Sequence, residues 1–406
     1  MLDSIGVAVI GAGMAGKSHA AAYRAASSLY QTVLPPIRLV SIGDANHAVG
    51  SAAAARFGYE RSDTSWQAIA AADDIDVVSV VVANALHREM VEGLLDAGKH
   101  VLCEKPLSDT LPDARAMAAA ASAASSIARI GYTYLRTPGI AFIRSMIESG
   151  ELGKVLHFSG RYWTDYSFDP QAPMSWRYTG APGSGALADV GSHLSYVAEA
   201  LCGPVQAVSG GQLSTVITSR PRPLGYVSGH EHAAVSDERD PVTNDDYAGF
   251  TVAFPSCSGV LEASRVAAGH ANRLTFEVFC ENGAAKFDQH RPAEISLYLH
   301  TGPTRTNGYR QVILGSEHPY IAGGMPMDAA GVGFGQTEAF YYQARAFLDE
   351  VAGLDEESSL PRCAQFVDGL HNMQILAAVA ESAAHGGAAV TVPATAPSPI
   401  NELVSS

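Results

Sequence analysis

The chain has no apolar run long enough to cross a membrane as a helix, which argues against a membrane as partner. Its five cysteines (103, 202, 257, 280 and 363) are odd in number and scattered, with no Cys-x-x-Cys pair. That excludes a disulfide framework or a cysteine zinc site and suits reduced thiols in a cytoplasm. Positive charge is scarce: 26 Lys and Arg stand against 41 Asp and Glu, a formal net charge of -15. Nucleic acid and anionic lipid are disfavoured as partners. Residues 1–4 lack the basic start of a signal peptide and strand-like sequence begins by Ile5, so a targeting segment is not expected. There is no internal repeat and no low-complexity tract beyond an alanine bias. What remains is 47% hydrophobic and 17% charged over 406 residues, a globular composition too long for one ordinary core.

Apolar strands and amphipathic helices alternate up to about residue 131. Strands are expected at 5–10, 37–42, 77–82, 99–103 and 127–131. Helices are expected at 17–26, 48–57, 66–71, 87–97 and 112–124. The run at 77–82 is wholly apolar, as a parallel strand covered on both faces requires. This alternation predicts an α/β doubly wound parallel sheet. Beyond it the order changes. Helices at 139–148 and 188–201, with a long strand at 155–163 between them, are followed mainly by strands, at 205–218, 247–254, 259–266, 274–280 and 295–299, and two helices at 336–352 and 362–384 end the chain. That pattern predicts an α+β domain with a large, open, mostly antiparallel sheet. The domains expected are 1–133, binding a nucleotide, and 134–406, binding substrate and pairing subunits. Long Pro/Gly-rich linkers at 219–245 and 301–335 read as functional or assembly elements.

Gly11, Gly13 and Gly16 form G-x-G-x-x-G between the first strand and first helix, the context that gives this pattern meaning. The first glycine permits a tight turn, the second close approach of a pyrophosphate, and the third close helix–strand contact. Met14 and Ala15 then supply N–H groups at the positive end of the helix. Asp44 ends the second strand. It lies further from the glycines than the usual ~20 residues, and an insertion at 29–36 accounts for the excess. Its carboxylate suits the ribose hydroxyls and would repel a 2′-phosphate, so NAD is expected over NADP; the competing reading is a simple helix cap. Asn84 follows the third long strand at the same rim and is expected at the nicotinamide ribose. His87 is expected at the cofactor, as a cap, or on the surface, not as a catalyst.

Two clusters carry the chemistry. Glu104 and Lys105 end the strand at 99–103, and Pro106 stops the sheet by removing a ladder donor. A lysine at a strand's exit sits at the ligand-binding rim of an α/β domain. Asp189 and His193 stand four apart at the start of a helix and share a face. Imidazole accepts a proton near neutrality, and a nearby carboxylate can orient it. Alone, Asp-x-x-x-His is more commonly a cap and a surface histidine. Tyr134 and Arg136, and the aromatic stretch with Trp163, Asp165, Trp176 and Arg177, suit a polyol: ring faces for C–H, polar tips for hydroxyls; core packing is the competing reading. The stretch Gly229, His230, Glu231, His232 reads as a solvated loop with no third ligand nearby, so no metal is expected.

In three places the chain resembles the Gfo/Idh/MocA oxidoreductases, which include inositol dehydrogenases and glucose–fructose oxidoreductase: residues 9–16 (VIGAGMAG), 98–107 (GKHVLCEKPL) and 185–193 (GALADVGSH). The aromatic loop, the insertion at 29–36 and the stretch at 333–338 are similar to the levoglucosan dehydrogenase branch. Ala83 departs from the proline many members carry. The resemblance implies a Rossmann domain followed by an open-sheet domain whose outer face pairs subunits, as a homodimer or homotetramer. It also implies NAD-dependent oxidation of a ring secondary hydroxyl of a sugar, anhydrosugar or cyclitol. His193 would take the hydroxyl proton, Lys105 would hydrogen-bond the same oxygen and the ribose, and Asp189 would complete the catalytic set, with Glu104 beside the cofactor. Two alternatives stand beside it: an NAD-retaining glycosidase using transient oxidation, and a non-catalytic nucleotide sensor.

Overall fold

The computed structural model describes residues 3–31, 34–225, 233–300, 304–325 and 327–394; the stretch Gly229 to His232 lies outside them. Contacts divide the chain into two compact units. One is Met1–Pro138 with Ile313–Leu370, the other Gly139–Val312 with His371–Ser406.

The first unit holds strands β1 (Ile5–Ile10), β2 (Ile37–Gly43), β3 (Arg61–Asp63), β4 (Val77–Val80), β5 (His100–Glu104) and β6 (Ala128–Gly131). Between them run helices α1 (Met14–Ala26), α2 (His47–Phe57), α3 (Trp66–Ala70), α4 (His87–Asp96) and α5 (Leu111–Ala123). The sheet order is β3-β2-β1-β4-β5-β6, all parallel, with the short strand Ala364–Gln365 antiparallel on the β6 edge. All residues of β1 and β4 are buried, which is why both read as unbroken apolar runs. The order reverses between β1 and β4, and the carboxyl ends flanking that point form the ligand rim of such sheets.

The second unit contains α6 (Pro138–Glu148), β7 (Val155–Thr164), α7 (Ser192–Cys202) and β8 (Ala207–Ser214). A separate hairpin, β9 (Ser219–Pro223) with β10 (Val235–Pro241), occupies part of the expected linker at 219–245. Strands β11 (Tyr247–Ala253), β12 (Ser258–Ser264), β13 (Asn272–Cys280), β14 (Gly283–Asp288), β15 (Glu294–Leu299) and β16 (Arg310–Ile313) follow. The large sheet runs β16-β15-β14-β13-β7-β12-β11-β8, ending on Val390–Thr391. From β15 to Val390–Thr391 neighbouring strands are antiparallel except β7 with β12. Strand β7 alternates: Phe158, Gly160, Tyr162 and Thr164 are buried, Ser159 and Arg161 exposed, the period-2 signature of a sheet with two unlike faces. On the buried face a Cβ at Gly160 would lie 2.9 Å from Leu194 of α7.

The expected boundary at 133/134 gives residues 313–370 to the second domain, whereas by contact they group with the first unit. The reason is packing along α1. From α8 (Gln336–Val351), Arg345 donates to the carbonyls of Leu29 and Ala26 and forms a buried 2.6 Å pair with Asp349. The insertion is held at the same place, Tyr30 N–H donating to Gly323 O and its hydroxyl to Tyr320 O. The last helix, α9, runs Phe366–Ala384.

Candidate functional site

In the first unit the candidate residues stand at the exits of successive parallel strands. After β1, Gly11 has φ +101°, and a Cβ there would lie 2.0 Å from Val81 O; only glycine makes this turn. A Cβ at Gly16 would meet Gly11 O at 1.8 Å, so helix and turn touch backbone to backbone. Gly13 has nothing within 4 Å of its Cβ position, and Met14 beyond it is 70% exposed. An open approach thus leads to the amino end of a 13-residue helix with no side-chain cap, which leaves N–H groups and dipole for a phosphate. These features fit a pyrophosphate.

Asp44 leaves β2 with Oδ2 accepting from Ala12 N–H at 3.0 Å and Oδ1 from Asn46 N–H at 2.8 Å. The cap of α2 is Asn46, whose side chain accepts from Ala48 and Val49. Asp44 is therefore aimed at the glycine loop rather than spent on capping, which suits a ribose diol. Asn84, half-buried, begins a short 3-10 turn after β4. Lys105 leaves β5 half-exposed, its N–H donating to Glu104 Oε2 at 3.0 Å. Glu104 also accepts from His19 at 3.0 Å. Burial opposes its charge, yet His19 and Lys105 together hold its carboxyl below the usual range.

Two expectations in this unit need correction. His87 is 0% exposed, with Nε2 3.2 Å from Val82 O and Nδ1 near both Leu107 O and Cys103 Sγ. Burial lowers its pKa, and a neutral ring has one N–H to give to one of these carbonyls; His87 is neither a surface group nor open to a cofactor. Arg136 is 4% exposed and binds Tyr320 Oη at 3.1 Å, Pro361 O at 2.6 Å and Cys363 Sγ at 3.3 Å. It anchors the 313–370 segment instead of meeting substrate. Tyr134 is also buried and accepts from Gln336 Nε2 at 3.0 Å.

In the second unit Asp189 lies in a π-helical turn, Leu187–Gly191, which runs directly into α7. Such turns are rare and frequent at functional sites. Asp245 fixes the approach to it: its carboxylate accepts from the N–H groups of Gly183, Gly185 and Leu187 at 2.8, 3.0 and 2.8 Å. Every residue of α7 is buried except His193. A helix buried all round that opens at one histidine is spending that position on something other than packing. His193 Nδ1 is 2.8 Å from Tyr196 Oη, and the Tyr162 ring lies 5.7 Å away. Asp189 accepts from Tyr166 Oη at 2.6 Å and has Arg177 4.0 Å distant. Burial, then the Asp189 charge, push the Tyr166 phenol well above its usual pKa, so it stays a donor.

Sequence reasoning expected a carboxylate to orient His193. The partner found for Nδ1 is Tyr196, which the i, i+3 spacing on the helix could have suggested. Tyr166 and Asp245 had no comparable signal. Trp163 is corrected. Strand alternation turns it, with Arg161, away from the Tyr162 face, where it lines a cavity of about 710 Å³ with His270, Arg273, Lys286 and Tyr309. Trp176 is 54% exposed and stacked by Arg177 at 4.6 Å. Asp165 closes a turn, accepting from Gly269 N–H at 3.2 Å.

Comparison with known proteins agrees with this layout. Residues 5–132 match the description "Oxidoreductase family, NAD-binding Rossmann fold", and residues 140–286 match the GFO/IDH/MocA C-terminal domain. Levoglucosan dehydrogenase of Pseudarthrobacter phenanthrenivorans is 35% identical over 393 residues, 94% of this chain and 97% of that protein. Inositol 2-dehydrogenase of Rhizobium meliloti is 27% identical over 73% of this chain and 79% of its own length. A solved levoglucosan dehydrogenase in complex with NADH and levoglucosan superposes with a TM-score of 0.85 at 33% identity, covering 96% of this chain and 100% of that one. The chain belongs to the Gfo/Idh/MocA family of oxidoreductases and carries its NAD-binding Rossmann domain.

Proposed function

We propose that this NAD-dependent dehydrogenase oxidises a ring secondary hydroxyl of an anhydrosugar or closely related pyranose to a ketone. The observation that carries this reading is the end-to-end match, at 35% identity, to a levoglucosan dehydrogenase. NAD, when bound, supplies nicotinamide C4 as hydride acceptor; Gly11, Gly13, Gly16, Asp44, Asn84 and Glu104 are the residues proposed to hold it. His193 is the base. In the tautomer whose Nδ1–H donates to the Tyr196 oxygen, 2.8 Å away, Nε2 carries the lone pair that takes the hydroxyl proton. Lys105 supplies the ammonium that steadies the developing alkoxide, since an uncharged alcohol gives up hydride poorly until its proton is leaving. Asp189, held by Tyr166 and flanked by Arg177, binds a further substrate hydroxyl.

Two broader assignments go with this reading. All five cysteines are free thiols, which supports a cytoplasmic location. The open face of the large sheet supports pairing of subunits into a homodimer or homotetramer. Among the described residues, no helix is long and apolar enough to cross a membrane.

The test is a panel of monosaccharides, inositols and 1,6-anhydrosugars, read by NADH absorbance at alkaline pH. Net NADH with the anhydrosugars above all others is the expected result. A tightly bound cofactor that never turns over, with glycoside cleavage instead, would overturn it.

A further inference from the structure

Helix α1 carries a buried polar chain in which only Glu104 has been given a role above. His19, 1% exposed, sits on the helix that follows the glycine loop. Its Nδ1 is 3.1 Å from Ser79 Oγ on β4, and its Nε2 is 3.0 Å from Glu104 Oε1 at the end of β5. Tyr23, one turn further along α1, places its hydroxyl 2.8 Å from the same Ser79 oxygen. Glu104 uses its other oxygen to accept the main-chain N–H of Lys105.

One proton in this chain can be assigned. A carboxylate only accepts, so His19 Nε2–H donates to Glu104. On the other side of the ring, Nδ1 meets Ser79 Oγ, which in turn meets the Tyr23 hydroxyl. Every member has a partner, and the glutamate charge is eased by its neighbour Lys105. Space confirms that Glu104 is fitted closely: a Cβ at Gly131 on β6 would lie 3.0 Å from Glu104 Oε1. The Phe340 ring, from α8, closes over His19 with centroids 5.4 Å apart.

We propose that His19 is a positioning residue for Lys105, acting through Glu104. By fixing Oε1, His19 fixes the rotation of the carboxylate, and so the Oε2 atom on which the Lys105 main chain hangs. Without it, Glu104 can turn toward the Lys105 ammonium and draw it off the reacting oxygen. Errors of about 1 Å in such placement lower rates by up to about 10²-fold. The proposal rests on the reading of Lys105 as the alkoxide-stabilising group.

The experiment compares His19→Leu, His19→Gln and Lys105→Ala in the full-length protein, recording kcat, sugar KM, NADH affinity and urea midpoint. His19→Leu is expected to lose about 10- to 100-fold in kcat, with sugar KM and NADH affinity within about 3-fold. His19→Gln, whose amide can still donate to Oε1, is expected to recover most of that loss. If His19→Leu does not fold, His19→Asn replaces it: its shorter amide can still meet Ser79 but does not reach Oε1 of Glu104, and the same kcat loss is expected. Two results would overturn the proposal: unchanged kcat in His19→Leu, or an equal loss in His19→Gln that follows the urea midpoint, the mark of a mere tether. Turnover kept by Lys105→Ala would remove the Lys105 reading itself. An inactive Lys105→Ala beside a fully active His19→Leu would remove only the part played by His19.

Discussion

At the scale of single residues, the acids and bases proposed for catalysis are each held by a tyrosine. Tyr196 Oη lies 2.8 Å from Nδ1 of His193, and Tyr166 donates to one oxygen of Asp189. Tyr196→Phe should leave the fold intact and lower kcat by about 10-fold, with a shift in the acid limb of the pH–rate profile, because the proton-accepting nitrogen is no longer specified. An unchanged pH profile would show that Tyr196 only fills space. Asp44 gives a second test at this scale. Its carboxylate faces the glycine loop through Ala12, so Asp44→Ala should weaken NAD and narrow its preference over NADP in kcat/KM. A preference for NAD undiminished in Asp44→Ala would place discrimination elsewhere.

At the scale of elements, the active segment of the second unit depends on one buried carboxylate. Asp245, 2% exposed, holds three N–H groups of the loop entering the π-helical turn. Asp245→Ala strands them and should cost about 3 kcal/mol in urea unfolding, with a larger fall in activity than in cofactor binding. A change under about 0.5 kcal/mol would mean that water replaces the carboxylate at no expense. This dependence could not be read from the sequence, because Asp245 lies in a stretch that reads as a linker. Five of the six parallel strands were legible, each a short, largely apolar run closed by a turn residue, whereas β3, Arg61–Asp63, is short and polar and gave no signal. Strand β14 was missed because Gly283, Ala284 and Ala285 make a weak strand signal, and the β9–β10 hairpin because Arg and Pro dominate it. Glycines 11, 13 and 16 could be assigned roles because their spacing falls between a strand and a helix. Trp163 was misplaced because register, not composition, decides which face a strand residue takes. Arg136 and His87 were misplaced because a polar residue can be wholly satisfied inside.

At the scale of the whole molecule, the segment 313–370 returns from the far end of the chain to cover α1, and it brings a buried histidine with it. His318 is 7% exposed, and burial pushes its pKa down to about 4. In the unfolded chain the same group takes a proton near pH 6.5. Protonation therefore favours unfolding, and stability should fall as pH drops from about 6.5 toward 4, by up to about 3 kcal/mol from this residue. His318→Gln should flatten that part of the urea-midpoint profile. A profile identical to that of the parent would show that His318 is protonated in the folded chain.

The most direct measurement concerns Lys105. The variant Lys105→Ala should bind NADH with affinity close to the parent, yet give no detectable NADH from NAD and an anhydrosugar that the parent oxidises. Turnover within about 10-fold of the parent would contradict the assignment, since removing a charge that stabilises a developing alkoxide should cost at least about 10²-fold.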